Sequence, residues 1–523
     1  MTLIPAKDLR FARAVGSLNY TNPFSTERMV LEQEALGDDF VPEADPFWSL
    51  TPEQTLNRRS NLILILDRAR VLANAVRARL QDGATGSDEQ LLVYEELVNY
   101  VLFYDMLEYW GGHTQLPGNQ DSIDRKAWER FSGQFDNRMK LTGIQLPSLD
   151  QKVSLFELFH QIYRAFFSIF DSVIGRSRPA ARLRERIWQS IFTHDLRRYR
   201  RTLVRSMSAI TTLISGPSGS GKELVARAIG LSRRIPFVVR EQRFEVQPHD
   251  VYSAINVSAF AANLVESELF GHAKGAFTDA VSARAGWLEA CGEHGAVLLD
   301  EIGELTAATQ VKLLRVLQNR QFQRLGETKI REFQGKVIAA TNRDLRYEIE
   351  AGTFREDLYY RLCSDVIETP SLASQVEDNP RMLADLVAQV VGRMVPEESE
   401  AITAEVLQWI HGNLPDAYRW PGNIRELEQC VRNVIICGAY SPWTPGGRAS
   451  HLLDDSGCSA EILTTARGMQ ELRLTADELL QRYCRFAYRQ TKSFEKAAKL
   501  LQLDRRTVRA KSDQAEGLEN QDD

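Results

Sequence analysis

The segment 211–222 reads TTLISGPSGSGK: a short apolar run, a glycine-rich loop and a lysine. The run suits a buried strand. The loop, Gly216-Pro217-Ser218-Gly219-Ser220-Gly221-Lys222, fits the pattern GxxxxGK. Glycines at these positions let successive backbone N–H groups converge on phosphate oxygens, and the helix that follows offers its positive end. Lys222 is placed to reach the β- and γ-phosphates of a nucleotide. By itself such a loop is also an ordinary turn, but the strand–loop–helix setting favours a phosphate site. Glu223 stands where the pattern usually carries the Ser or Thr that meets Mg²⁺. A chain with this feature is restricted at its centre to a parallel sheet with helices on both faces.

A second apolar run, Val297-Leu298-Leu299, ends in Asp300-Glu301, and a third, KVIAAT (336–341), precedes Asn342. Two carboxylates at the end of a buried strand have little structural purpose unless a cation or a water sits beside them. Asp300 is the expected Mg²⁺ ligand, and Glu301 the group that polarises an attacking water. Together with the first motif this predicts nucleotide hydrolysis, with ATP and Mg²⁺ as cofactors.

The flanking regions differ in kind. Residues 1–175 hold 17 basic and 24 acidic side chains. Apolar residues recur at helical spacing over 62–80 and 89–110, and an aromatic stripe runs through Phe156, Phe159, Tyr163, Phe166, Phe167 and Phe170. The reading is a packed helical core rather than a ligand pocket, without the strand–helix alternation of a receiver domain. Between Arg176 and Arg205 ten arginines face only Glu185 and Asp195, which suits a solvated face or an acidic neighbour better than a phosphate contact. The six cysteines form no CxxC pair, and no run of residues is long and apolar enough to span a bilayer. A cytoplasmic protein with no membrane contact is the expectation.

These motifs, in this order, resemble the AAA+ ATPases that activate bacterial sigma-54 RNA polymerase, the enhancer-binding transcription activators. Five stretches carry the resemblance: Glu266–His272 with Lys274–Thr278, Asp300–Leu305, Ala340–Leu345, Phe354–Leu362 and Trp420–Leu427. A glutamate after the P-loop lysine is usual in that family, so Glu223 fits. The resemblance implies a multidomain fold: a helical regulatory or sensor domain (1–171), an AAA+ α/β subdomain (172–378) and its helical lid (379–440). A linker (441–470), a Fis-type helix–turn–helix domain (471–512) and an acidic tail (513–523) complete it. It implies that Asn342 lies near the γ-phosphate, that Asn256 restrains Glu301 until ATP is sensed, and that Arg425 contacts nucleotide from the lid. Gly175 and Ser177 would lie near the adenine. Arg355 and Arg361 would reach the nucleotide of a neighbouring subunit, which requires a homo-oligomeric ring, typically a hexamer; ion pairs with Glu356 and Asp357 are the alternative.

The loop that the family uses to engage sigma-54 ends in GAFTGA, whereas this chain has Gly275-Ala276-Phe277-Thr278-Asp279-Ala280. Asp279 tolerates positive φ better than most residues but adds a carboxylate to each subunit. The stretch RRIPFVVREQRFEVQPHD (233–250), between Lys222 and Asn256, is longer than the family's and reads as a surface insertion.

Although the whole chain carries a formal charge of −6, the segment from Arg482 to Lys511 holds ten basic residues against Glu495 and Asp504. Within it, Ser493–Arg509 reads as helix–turn–helix, with Asp504 capping the second helix. Arg505, Arg506, Thr507, Arg509 and Lys511 are the expected contacts to double-stranded DNA, a solvated basic helix being the alternative. The leading expectation is an ATP-driven regulator that binds DNA, remodels the sigma-54 holoenzyme and answers an unknown signal or ligand at its N-terminal domain. Two rivals stand beside it: a same-fold ATPase that has lost sigma-54 contact and acts on another polymerase form or client, and a non-catalytic DNA-binding repressor.

Overall fold

The computed structural model describes residues 3–42, 59–112, 120–146, 148–278, 280–415, 417–442, 465 and 474–514. The chain forms two compact units, residues 1–440 and 441–523. Most of the expected linker and the tail beyond 514 lie outside the described residues, as does Asp279. Among the described residues no helix is long and apolar enough to cross a membrane.

The first unit begins with six helices: α1 (Ala6–Leu18), α2 (Glu27–Leu36), α3 (Ser60–Gln81), α4 (Asp88–Gly111), α5 (Gln120–Met139) and α6 (Lys152–Ser172). Helical spacing of apolar residues gives each a buried face, and Leu62, Ile65, Ala69, Ala73, Val76 and Leu80 of α3 all enter the core. The expected aromatic stripe lies on α6, where Phe156, Phe159, Tyr163, Phe166 and Phe170 are buried and Phe167 is half-buried. Helix α7 (Arg178–Phe192) follows, opened by Ser177, whose Oγ accepts from Ala180 N at 3.2 Å.

A five-stranded parallel sheet comes next, in the order β11-β1-β10-β7-β4. Its strands are β1 (Thr212–Ser215), β4 (Tyr252–Asn256), β7 (Ala296–Asp300), β10 (Lys336–Thr341) and β11 (Asp365–Glu368). The short pairs β2 (Phe237–Val238) with β3 (Arg243–Phe244), β5 (Gly271–His272) with β6 (Arg284–Ala285), and β8 (Gln321–Phe322) with β9 (Arg331–Glu332) are antiparallel. Alternation along the strands divides the sheet between two layers. Ile214, Leu298, Ile338 and Ala340 pack with α6, α7 and α8 (Lys222–Leu231). Leu213, Leu299, Val337 and Ala339 pack with α9 (Ala262–Phe270), α10 (Ala307–Asn319) and α12 (Glu356–Leu362), beyond α11 (Leu345–Glu350). After α13 (Leu372–Asp378), helices α14 (Arg381–Met394), α15 (Ser399–Asn413) and α16 (Asn423–Cys437) build the lid around Leu386, Val387, Trp420 and Leu427.

One sequence expectation takes a different form here. The stretch 233–250 is no surface insertion: its hairpin β2–β3 turns Phe237 and Phe244 into the helical core of the N-terminal half. Phe244 stacks on His160 of α6 at 3.9 Å, and Phe237 N donates to Glu157 Oε1 at 2.8 Å. Local polarity hid this, because the two aromatics lie among arginines and glutamates. The basic run 176–205 meets acidic neighbours, with Arg186 on Asp365 (3.1 Å), Arg197 on Glu96 (3.2 Å) and Arg176 on Asp385 (3.7 Å).

The second unit is a three-helix bundle: α17 (Ala476–Thr491), α18 (Phe494–Leu501) and α19 (Arg505–Gln514). Thr475 and Glu478 form a capping box at its start. Cys484, Ala497, Ala498 and Val508 make its core. The turn between α18 and α19 lacks glycine, and Gln502 takes the left-handed conformation there, at φ 53°.

Candidate functional site

Strand β1 lies between β10 and β11, so the loop it feeds opens at the carboxyl edge of the sheet. Helix α8 starts at Lys222 and points its positive end into that loop. Gly219 has φ 73°, and a Cβ there would come within 2.2 Å of Gly422 O in the lid. Only glycine permits that approach. Ser220 Oγ donates to Pro217 O at 2.7 Å and pairs with Thr369 Oγ1 at 2.6 Å, just beyond β11. Lys222 is buried, and its Nζ donates to Gly216 O and Pro217 O at 3.1 Å each. Burial pushes its pKa down against the pull of Glu301 and Asp300, while Arg425 adds to the depression. Lys222 thus feels both carboxylates and the Arg425 guanidinium. Glu223 is exposed on the first turn of α8.

Strand β7 ends at Asp300, in register with Asn256 of β4. Glu301 follows at φ 56°, a left-handed conformation that costs a non-glycine residue about 1–2 kcal/mol. Its backbone N donates to Asp300 Oδ1 at 3.0 Å. Local strain of this kind concentrates at functional sites. Asn342 is exposed directly after β10, between the loop strand and the carboxylate strand. Asn256 accepts from Ser258 N (2.9 Å) and Ser258 Oγ (2.7 Å) and is not hydrogen-bonded to Glu301.

The lid is tied to the loop by backbone as well as side chain. Ile424 N donates to Gly219 O at 3.0 Å, and Arg425 Nη1 lies 3.5 Å from Ser218 Oγ. Asn423 Nδ2 donates to Ser218 O at 2.9 Å while its Oδ1 accepts from Leu372 N at 2.8 Å. Asn423 is a positioning residue that sequence reasoning quoted without a role. Its signal, φ 53° behind Gly422, exists only in three dimensions.

The two arginines of the 354–362 segment differ. Arg355 is held by Asp357 in a bidentate pair (Nε–Oδ1 3.0 Å, Nη2–Oδ2 2.7 Å), as the ion-pair alternative expects. Arg361 is exposed and makes no ion pair among the described residues. Neither bonds to Lys222, Asp300 or Glu301 of its own chain. Fully buried Gln310 fixes the segment, accepting from Arg355 N at 2.9 Å and donating to Leu305 O (2.9 Å) and Thr353 O (3.0 Å). This link between the loop after Asp300-Glu301 and the arginine segment was not foreseen from sequence.

The loop after β5 is folded on itself, with Gly275 N donating to Ala280 O at 2.8 Å and Ala280 N to Phe277 O at 3.0 Å. Phe277 is exposed and edge-on to His272, whose Nδ1 lies 2.8 Å from Ser267 Oγ. Ala276 packs beneath Gly326, and Thr278 is exposed. In the second unit, Arg505, Arg506, Thr507 and Arg509 are exposed on α19, and Asp504 Oδ1 caps it through Arg506 N at 2.8 Å. Lys511 pairs instead with Asp477 of α17, which turns it from solvent toward the bundle.

The donor set suits a nucleotide accompanied by Mg²⁺. Glycine-loop amides, a helix N-terminus and Lys222 are donors of the kind that polyanionic phosphates need, and the carboxyl edge offers Asp300 and Glu301. Among the described residues no group of three or more His, Cys, Asp or Glu could hold a metal without help.

Residues 191–368 match the family described as Sigma-54 interaction domain. The chain is 43% identical over 236 residues to the transcriptional regulatory protein ZraR of Escherichia coli (strain K12), covering 45% of this chain and 49% of that one. It is 40% identical over 226 residues to the Nif-specific regulatory protein of Azotobacter vinelandii, covering 43% and 40%. The solved structure of NtrX from Brucella abortus in complex with ATP is 24% identical, with a TM-score of 0.42, covering 78% of this chain and 85% of that one. The chain spans about half the length of the curated relatives it matches.

Proposed function

We propose that this chain is an ATP-hydrolysing transcriptional regulator of the cytoplasm that binds DNA and remodels sigma-54 RNA polymerase. The observation that carries the reading is that the Gly216–Lys222 loop and the Asp300-Glu301 strand end share the carboxyl edge of the sheet within residues 191–368, which match a sigma-54 interaction domain, with Asn423 and Ile424 bonded to the loop from outside it. In this reading the Gly216–Gly221 amides and Lys222 bind the phosphates, and Asp300 would hold Mg²⁺, which would supply charge neutralisation at the phosphates. Glu301 takes the proton of the attacking water, and Asn342 orients that water beside the γ-phosphate. Arg425 closes the lid over the nucleotide. Arg361, and Arg355 once released from Asp357, complete the site of the next subunit in a homo-oligomeric ring. The Gly275–Ala280 loop is the surface offered to sigma-54, and Arg505, Arg506, Thr507 and Arg509 the one offered to double-stranded DNA. Helices α1–α6 regulate the ring.

ATP turnover and open-complex formation with sigma-54 holoenzyme, measured together, test this. Wild type is expected to do both, and Glu301→Gln to lose about 10²–10⁴ in turnover while still binding ATP. A repressor without catalysis would show no turnover in either protein. Asp279 favours a second reading, in which the ATPase no longer engages sigma-54 and acts on another polymerase form or client. If wild type hydrolyses ATP but opens promoters only as Asp279→Gly, the second reading stands. If neither protein opens promoters, sigma-54 is not the client.

A further inference from the structure

A cavity of about 90 Å³ lies where the N-terminal helices meet α7. Phe103 of α4, Phe159 and Ile162 of α6, and Trp188 of α7 give it an apolar, largely aromatic wall. Asn99 of α4 also lines it, only 4% exposed, and its Oδ1 is buried with no hydrogen-bond partner. A buried acceptor without a donor is costly, and native structures leave few of them. Here it sits in the wall of a largely apolar cavity, the arrangement by which small-molecule sites fix one orientation of a ligand.

We propose that this cavity binds a small uncharged molecule with an apolar ring and one N–H or O–H group, which donates to Asn99 Oδ1. The volume limits the class: a cavity of ~150 Å³ admits benzene, so 90 Å³ suits a smaller ring of about five heavy atoms. Arg200 also lines the cavity but is engaged by Gln151 Oε1 at 2.6 Å, and the largely apolar remainder of the wall disfavours a charged ligand by stripping its hydration. Helix α6 gives the site a consequence. The helix that lines it through Phe159 and Ile162 also holds residues 231–237 through Glu157, Gln161 and Arg164. Occupancy therefore reaches the helix of the phosphate loop, a step that rests on the proposed ATPase; the binding itself does not.

Pyrrole and furan have nearly the same shape, and only pyrrole carries the donor. Saturation-transfer difference NMR on the full chain, with both probes in one sample, reads the preference directly. Wild type is expected to bind pyrrole roughly tenfold more tightly than furan, the worth of one hydrogen bond to a buried acceptor. Asn99→Leu is expected to bring pyrrole down to furan. Ile162→Phe, which fills the space and leaves Asn99 in place, is expected to lose both signals, with native circular dichroism confirming that each variant folds. Equal saturation of the two probes in wild type overturns the proposal. So does no saturation of either, as for a cavity that holds water only, or a pyrrole signal that survives Ile162→Phe.

Discussion

The two edges of the central sheet treat buried charge in opposite ways. At the carboxyl edge Lys222 is held by two loop carbonyls and also feels the carboxylates of Asp300 and Glu301 and the guanidinium of Arg425. At the amino edge the cations end on backbone carbonyls. Lys336, at the start of β10, donates to Ile210 O at 2.7 Å, and Arg233 Nη2 to Glu293 O at 3.1 Å. Arg164 of α6 donates to Leu231 O at 2.6 Å and to Arg233 O, at the end of α8. Helix α8 joins the two edges: its positive end faces the loop, and its negative end is met by an arginine, as the helix dipole favours. The carboxyl edge sets cations against carboxylates, and the N-terminal helices grip the edge where cations end on carbonyls.

The largest expected effect separates the two arginines of the carboxyl edge. If Arg361 acts on a neighbour's nucleotide, Arg361→Ala lowers ATP turnover by about 10³–10⁵ at unchanged ATP binding. Arg355→Ala is expected to lose less, because its guanidinium is already engaged by Asp357. Turnover measured across protein concentrations checks both, since a residue acting in trans shows its effect only in the assembled ring. Equal turnover in Arg361→Ala and wild type would place the finger elsewhere and leave the carboxyl edge complete within one subunit.

Legibility follows the same division. Phosphate chemistry demands fixed residue types at fixed spacing, so Gly216–Lys222 and Asp300-Glu301 are readable as letters. The parallel sheet followed from three apolar runs, and the helix–turn–helix from a local excess of base. Nothing comparable marks the amino edge. A carbonyl is supplied by any residue, so the acceptors of Arg164, Arg233 and Lys336 leave no pattern. The hairpin around Phe237 and Phe244 escapes a sequence reading for a related reason: its burial depends on Glu157 and His160 of α6, which lie about eighty residues earlier in the chain. Asn423 and Gln310 were missed because their partners are main-chain groups as well.

The amino edge should also announce itself in the pH dependence of stability. Burial lowers the pKa of Lys336 to about 7, against the opposing pull of Asp365 and with help from Arg233 and Arg320. An unfolded lysine keeps its proton to about pH 10.4, so between these values the unfolded chain binds more protons than the folded one. Stability contributed by this residue therefore rises with pH, by about 1.4 kcal/mol for each unit between 7 and 10. Urea unfolding of wild type and Lys336→Met across that range is expected to show the slope in the first and its loss in the second. Parallel slopes would mean that Lys336 keeps its charge in the fold, and the amino edge would then resemble the carboxyl edge.

The smallest effect asks whether the two ends of α8 are one mechanical unit. Arg164→Met removes the donors to Leu231 O and Arg233 O and is expected to cost about 1–3 kcal/mol. Gln161 still donates to Ser232 O at 2.9 Å and Glu157 still holds Phe237 N, so the hairpin stays docked. Amide exchange should then quicken over residues 231–234 and remain slow at Gly216–Gly221. The loop has its own supports, from Asn423 and Ile424 on the lid side and Thr369 on the sheet side, none of which passes through α6. Faster exchange at both ends would show that α8 moves as a rigid rod. A grip by the N-terminal helices on its far end would then act directly on the phosphate loop, and the contrast between the two edges would describe one lever rather than two separate sites.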